Sequence, residues 1–369
     1  MVLFKHTRFD AAARLALLII VLWAFESPPR LLVTPGPPQT VHTSNSLVGV
    51  HTRLTDEVET WKIQRSLAMV AEMGAPWIVE FFPWAYIEPV RGRFTWGHAD
   101  KIIQHSRAQG LTVIARLGLV PAWARPDPLD QESTYNYLAP DSYADWGDFV
   151  HEFAARYAGQ VEHIIIWNEP NLAFEWGLRP PDPAAYTALL QVSYARAKEA
   201  NPNVVVLAGA LAPTLEPEGS PHGLNDLIYL ERMYEAGAGD YFDALAAHSY
   251  GLQNPAEQEA APDRLNFRRV ELLRQVMERY GDRDKAVYIT ESGWNDSPRW
   301  IYGVTPAQRV QYTLGAYEWA RHNWPWCKVV AIWAFRLPQA GQGYQDGFTF
   351  VSPTFQPKPI YLEVQKYTR

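Results

Sequence analysis

The sequence predicts an α/β fold, a single-domain (β/α)8 barrel, on three observations. Short apolar, β-branched runs alternate with longer stretches whose apolar residues recur every three and four positions. Eight such pairs can be counted along the chain. The runs are continuously apolar instead of alternating, as strands of a parallel sheet covered on both faces must be. An open doubly wound sheet is the rival, but it usually has fewer units and often a glycine-rich turn after its first strand. None follows Val50-His51-Thr52, and Gly341-Gln342-Gly343 comes only after the last run, where it reads as a flexible loop.

Taken in order, strands are expected at 47–51, 77–82, 112–117, 163–167, 204–209, 244–248, 287–290 and 329–335. The intervening patterns predict helices at 57–73, 98–109, 142–157, 183–200, 227–236, 264–280 and 306–322, with a short one at 361–367. Val270, Leu273, Val276 and Met277 illustrate the helical spacing. Ahead of the first strand, residues 28–45 are proline-rich and aperiodic and read as an extended tether, so the barrel domain is taken as 46–369. In residues 1–27, Lys5, Arg8 and Arg14 precede the apolar run 15–25, the pattern of an export signal or signal anchor. The run is short for a spanning helix, yet no clean small-x-small cleavage site follows it, so an anchored and a secreted form both stay open.

A chain of 369 residues that is 47% hydrophobic can bury a large core, and the single Cys327 excludes an intramolecular disulfide. A net charge of -7, with scattered arginines, argues against a nucleic-acid partner. His151-Glu152 lacks a second histidine at helical spacing, and the ten histidines show no ligand cluster in the sequence, so neither a metal nor another cofactor is expected. No Gly-x-Ser-x-Gly elbow or phosphate-binding loop is present.

The chemistry is concentrated in two strings, Trp167-Asn168-Glu169-Pro170 and Thr290-Glu291-Ser292-Gly293-Trp294, each setting a glutamate at the end of an apolar run. In a barrel, the ends of strands four and seven face one another across the mouth, so Glu169 and Glu291 would converge. Paired carboxylates of this kind serve glycosidic bond hydrolysis. Glutamates at two corresponding strand ends, each among aromatics, are a stronger sign than one alone, which would more often be a helix N-terminal or salt-bridged residue.

These strings resemble the large clan of (β/α)8 glycoside hydrolases, from about residue 46 to the end. The resemblance implies that Glu169 is the acid/base and Glu291 the nucleophile of a retaining double displacement, with Asn168 donating to the sugar 2-hydroxyl. It implies a carboxyl separation of about 5 to 5.5 Å. His248-Ser249-Tyr250 resembles the clan's His-x-Tyr element, which would place Tyr250 on Glu291 and His248 in the same network. Trp333 matches the tryptophan that floors the sugar subsite, often beside a strained peptide bond. His51 and Arg116 are further substrate-binding candidates at strand ends. Fifteen tryptophans suit stacking on the C–H faces of sugars, and Trp84, Trp123 and Trp294 are expected on the catalytic-face loops.

Among the barrel families the chain looks most like family 39, which includes β-xylosidases and endo-acting hydrolases of bacterial exopolysaccharides, without excluding a family 5 or 42 type. It departs from typical β-xylosidases in ending soon after strand eight. The expected activity is endo-cleavage of an extracellular β-linked poly- or oligosaccharide by a monomer. The alternatives are an exo-acting β-xylosidase or β-glucosidase, a transglycosylase, or a non-catalytic carbohydrate-binding barrel.

Overall fold

The structure is a computed structural model in which residues 13–14, 33–126, 136–339 and 343–369 are described. The apolar run 15–25 read as a signal or anchor lies outside the described residues. Among those described, no helix is long and apolar enough to cross a membrane. The chain divides between Thr34 and Pro35, and the second, compact unit is Pro35–Arg369.

The second unit is a closed barrel of eight parallel strands in sequence order. They are β1 (Val48–His51), β2 (Trp77–Pro83), β3 (Thr112–Gly118), β4 (His163–Ile166), β5 (Val205–Leu211), β6 (Ala244–Tyr250), β7 (Ala286–Gly293) and β8 (Cys327–Trp333). Each leads to a covering helix: α1 (Thr60–Glu72), α2 (Gly97–Ala108), α3 (Tyr143–Arg156), α4 (Pro183–Ala200), α5 (Asp226–Glu235), α6 (Val270–Arg279), α7 (Pro306–Asn323) and α8 (Pro359–Tyr367). The ring closes where β8 pairs with β1 from Val48↔Val330 to His51↔Trp333.

Because successive side chains on a strand point to opposite faces, each apolar run feeds two layers. Val79, Ile114, Ile165, Leu207 and Val329 fill the barrel interior, while neighbours such as Ile78, Val113, Ile164, Val206 and Val330 pack under the helices. This is why the strands read as unbroken apolar runs. The interior is full at β1, where a Cβ on Gly49 would meet the Val329 side chain at 2.7 Å. Glu80 is the exception within an apolar strand. It is buried but accepts from the Thr52 hydroxyl at 2.6 Å and the Leu54 amide at 2.8 Å, pinning the loop that leaves β1.

The element boundaries depart from the sequence expectation where side chains intervene. β6 and β7 run on to Tyr250 and Gly293, so the polar ends of both strands belong to the sheet. The helix expected at 264–280 begins only at Val270, after a 3-10 turn (Phe267–Arg269). Asn266 is extended there, and its amide donates to the Gln258 and Glu259 carbonyls at 3.0 and 2.9 Å. The stretch read as a tether is bound to the barrel from Gln39 onwards. The Gln39 amide donates to the Ala108 carbonyl and the Ser44 amide to that of Thr368, both at 2.7 Å. The Asn45 amide also reaches the Tyr367 hydroxyl at 2.8 Å.

Candidate active site

The mouth of the barrel, at the C-terminal ends of the strands, holds a cleft of about 650 Å³ whose lining includes Arg116, Asn168, Glu169, Tyr250, Glu291 and Trp333. Glu169 stands just past β4 on a backbone with positive φ at both Trp167 (73°) and Glu169 (42°). Such conformations cost on the order of 1 to 3 kcal/mol each and persist only when surroundings over-determine them. Here the Trp167 amide donates to Leu117 on β3 at 3.0 Å, and the Glu169 amide to Ala210 on β5 at 3.1 Å. Buried Asn171 clamps the turn, accepting from the Ala212 amide and donating to the Ala212 carbonyl, both at 2.9 Å.

Glu291 lies within β7, where the ladder sets it opposite His248 of β6. Tyr250 donates its hydroxyl to one Glu291 oxygen at 2.8 Å. Arg116 donates through one nitrogen to the other Glu291 oxygen at 2.8 Å and to Asn168 Oδ1 at 2.7 Å. His248 Nδ1 is 2.7 Å from Glu169 Oε1 and 3.8 Å from Glu291 Oε2. The structure thus brings together Glu169, Glu291, Asn168, Arg116, His248 and Tyr250, and the buried His51 approaches Glu291 at 3.4 Å. Trp333 lines the same cleft, and the peptide bond joining it to Ala334 is cis.

Electrostatics separate the roles. Burial alone would raise the Glu291 carboxyl, but the His248, His51 and Arg116 side chains and the Tyr250 hydroxyl outweigh it and hold it down to about 2. Glu291 is therefore ionised at neutral pH. Burial pushes His51 down to about 3 despite Glu291, leaving a neutral imidazole. Burial also opposes a charged His248, yet Glu291 and then Glu169 prevail, and its pKa is raised.

Two carboxylate oxygens and an imidazole nitrogen, from Glu169, Glu291 and His248, lie within 4.8 Å of one another. This is a histidine-containing cluster of metal-ligand spacing where the sequence showed none. Its atoms are already engaged, because Arg116 and Tyr250 occupy the Glu291 oxygens and His248 occupies Oε1 of Glu169. The arrangement is a carboxylate pair in which Arg116 and Tyr250 hold Glu291 and His248 holds Glu169.

Three of the expected aromatics take another place. Trp84 is fully buried among Trp146, Phe149 and Trp123 and donates to Glu88 at 2.7 Å, because the helical turn after β2 (Trp84–Ile87) folds it under α3. Trp123 packs edge-on against Trp84 and donates to the Glu88 carbonyl at 2.9 Å, away from the cleft lining. Trp294 is fully buried against Phe267 and donates to the Asn254 carbonyl at 2.7 Å. Gly293, with φ of 130°, lets the chain turn beyond β7. A Cβ on Gly251 would lie 2.0 Å from the Trp294 ring, so the two residues lock the β6 and β7 loops together.

Sequence reasoning also missed a third carboxyl. Glu175 sits in the 3-10 turn Phe174–Trp176, lines the cleft, and accepts from Asn136. No periodicity or motif marks it. Burial, then the charge on Glu169, push it up to about 7, against the pull of Arg116 and Asn168. The folded state holds this proton to higher pH than the unfolded chain, so its stabilising effect is full below the ordinary value of 4.5 and is lost as pH rises towards about 7. Glu175→Gln removes a penalty of at most about 3 kcal/mol above that range. Urea unfolding at pH 5 and pH 8 should show the variant gaining on the wild type as pH rises, and an equal difference at both values would refute the assignment.

No protein-family model matches the sequence, and no curated protein matches it. Solved structures share its fold. A family 39 glycoside hydrolase from the gut symbiont Bacteroides cellulosilyticus WH2 superposes with a TM-score of 0.70 at 20% identity, over 90% of this chain. The chain spans 65% of the length of that structure. GH5_18 from Streptomyces cattleya, in complex with GlcNAc, gives 0.66 at 16% identity over 88% of this chain and 80% of its own. Xylanase 10B from Thermotoga maritima gives 0.56 at 16% identity, covering 88% of this chain and 94% of its own. The (β/α)8 architecture expected from the sequence is the one found, and its similarity to barrel glycoside hydrolases holds at the level of fold.

Proposed function

We propose that this protein is a retaining glycoside hydrolase acting on β-glycosidic bonds. The observation that carries the reading is the approach of Glu169 and Glu291 oxygens to within 4.8 Å across the barrel mouth. An oxygen-to-oxygen approach of this order fits the carboxyl separation of about 5 to 5.5 Å of a retaining site better than the roughly 6.5 Å or more that an inverting one needs to seat its water.

In the first step a Glu291 oxygen attacks the anomeric carbon while Glu169 gives its proton to the departing oxygen, forming a glycosyl ester on Glu291 and releasing the aglycone alcohol. In the second, Glu169 takes a proton from water, whose oxygen attacks the same carbon and frees the Glu291 carboxylate. Arg116 and Tyr250 hold the nucleophile and Arg116 holds Asn168 beside it, while His248 orients Glu169. As the ester forms, the charge that Arg116 and Tyr250 faced disappears, which favours the reverse displacement in step two.

The finer reading is endo-acting hydrolysis of an extracellular polysaccharide. Apolar side chains exposed on opposite loops support it, Phe174 after β4 and Ile301 and Tyr302 after β7, since an extended chain would cover both. The charged and apolar N-terminal sequence supports export, whether anchored or secreted.

The test is digestion of β-linked oligosaccharides and bacterial exopolysaccharides, with products sized and their anomers followed by proton NMR. Early release of several chain lengths with the β-anomer first is the expected result. Release of the α-anomer first would show inversion and overturn the mechanism. Sugar binding without turnover would move the non-catalytic barrel to the front.

A further inference from the structure

An unbroken run of aromatic rings leads from the carboxylates to the outer rim of the cleft. Phe348 packs edge-on against both Tyr250 and Trp333, with centroids at 5.6 and 5.3 Å. Trp300 follows at 5.5 Å from Phe348, and Tyr344 lies on Trp300 at 5.1 Å with the planes only 5° apart. Trp300, Tyr344 and Phe348 all line the cleft, and Tyr344 remains 37% exposed.

The rings are held by polar groups buried behind them. Fully buried Asn295 donates to the Tyr344 carbonyl at 2.8 Å and accepts from the Ser297 amide at 2.7 Å, tying the β7 loop to the β8 loop. Arg309 of α7, also buried, donates to the carbonyls of Phe348 and Thr349 and to Asp296. A Cβ on Gly347 would strike the Asn295 side chain at 2.1 Å, so the backbone at Gly347 packs directly on Asn295. Aromatic faces fixed in this way at a cleft bind ligand without first having to be ordered.

From these observations we infer that Tyr344, backed by Trp300, forms a second sugar-binding subsite that takes the C–H face of a pyranose ring one or more residues removed from the scissile bond. The inference rests on the hydrolase reading and names where that site grips its substrate. A planar apolar face suits a pyranose ring better than a peptide, because the ring presents a flat set of C–H groups while its hydroxyls stay in water at the rim.

The decisive variant is Tyr344→Ala, because among the described residues Tyr344 has only Trp300 as an aromatic neighbour, whereas Trp300→Ala also loosens Phe348. Wild type, Tyr344→Ala, Trp300→Ala and Tyr344→Phe are compared on β-linked gluco-, xylo- and manno-oligosaccharides of two to six residues. For the wild type, kcat/KM should rise with chain length. In Tyr344→Ala the ratio of hexasaccharide to disaccharide kcat/KM should fall roughly threefold to tenfold, carried by KM, and Tyr344→Phe should restore it. An unchanged ratio in Tyr344→Ala overturns the subsite while leaving the hydrolase reading in place. If the wild type cleaves none of the panel, calorimetric titration with the hexasaccharides separates the two. Binding lost in Tyr344→Ala upholds the subsite without the hydrolase, and no binding by the wild type overturns the subsite.

Discussion

Glu291→Gln is expected to lower kcat on every substrate by on the order of 10⁴-fold or more, because it removes the atom that forms the new bond. Glu169→Gln should behave differently. It loses about 10² to 10⁴ in rate on ordinary sugar leaving groups, which need a proton. On a dinitrophenyl glycoside of the sugar that the wild type accepts, the first step needs no proton and should stay fast. The second step then lacks its base, so the variant should release a burst of dinitrophenol equal to the enzyme present and turn over slowly afterwards. Stopped-flow absorbance reads both phases. A burst in Glu291→Gln instead, or equal loss on all leaving groups in Glu169→Gln, would reverse or dissolve the assignment of roles.

Asp226→Ala should cost about 3 to 5 kcal/mol of stability, with little of it recoverable by packing. Asp226 and Arg269 are each 1% exposed at the side chain, and their oxygens and nitrogens meet at 2.8 to 3.0 Å. Arg269 also donates to the carbonyls of Pro262 and Arg264 at 3.0 Å, so it holds the loop between β6 and α6 against the start of α5. Removing the carboxylate leaves a guanidinium with nowhere to send its charge. The double variant Asp226→Leu with Arg269→Met removes both charges and should be closer to wild type than Asp226→Ala alone. Urea unfolding of the three proteins checks the ordering, and a double variant less stable than Asp226→Ala would show that the pair contributes more than mutual neutralisation.

The architecture was legible because burial on both faces leaves a plain mark, an apolar run with no alternation, and each of the eight runs became a strand. Glu169 and Glu291 were legible for a related reason, since ionisable side chains ending such runs must sit at a sheet edge. His248 and Tyr250 followed from the resemblance of His248-Ser249-Tyr250 to the clan's His-x-Tyr element, and Arg116 from its place near the end of β3. The aromatics were harder. A tryptophan in a loop looks the same in sequence whether it faces solvent or core. Trp84 and Trp294 were decided by partners far along the chain, Trp146 for one and Phe267 for the other. Glu175 could not be seen because its setting joins the loop after β4 to Asn136 in the loop after β3 and to the ends of neighbouring strands only once the barrel has closed. The stacking of Tyr344 on Trp300 likewise joins the loops after β8 and β7.

The hydrogen bonds that join Ser44 and Asn45 to the last helix have a topological consequence. They set the entry and exit of the barrel side by side at the pole opposite the cleft, so the ring of strands has a seam in the covalent chain but none in space. β8 and β1 share four register pairs, as many as β3 and β4 do across a continuous chain. Geometry therefore assigns no strand the role of first. A circularly permuted polypeptide, joined across this seam and opened at the exposed turn of Gly159 between α3 and β4, would keep every strand beside its present neighbours and both glutamates at the same mouth.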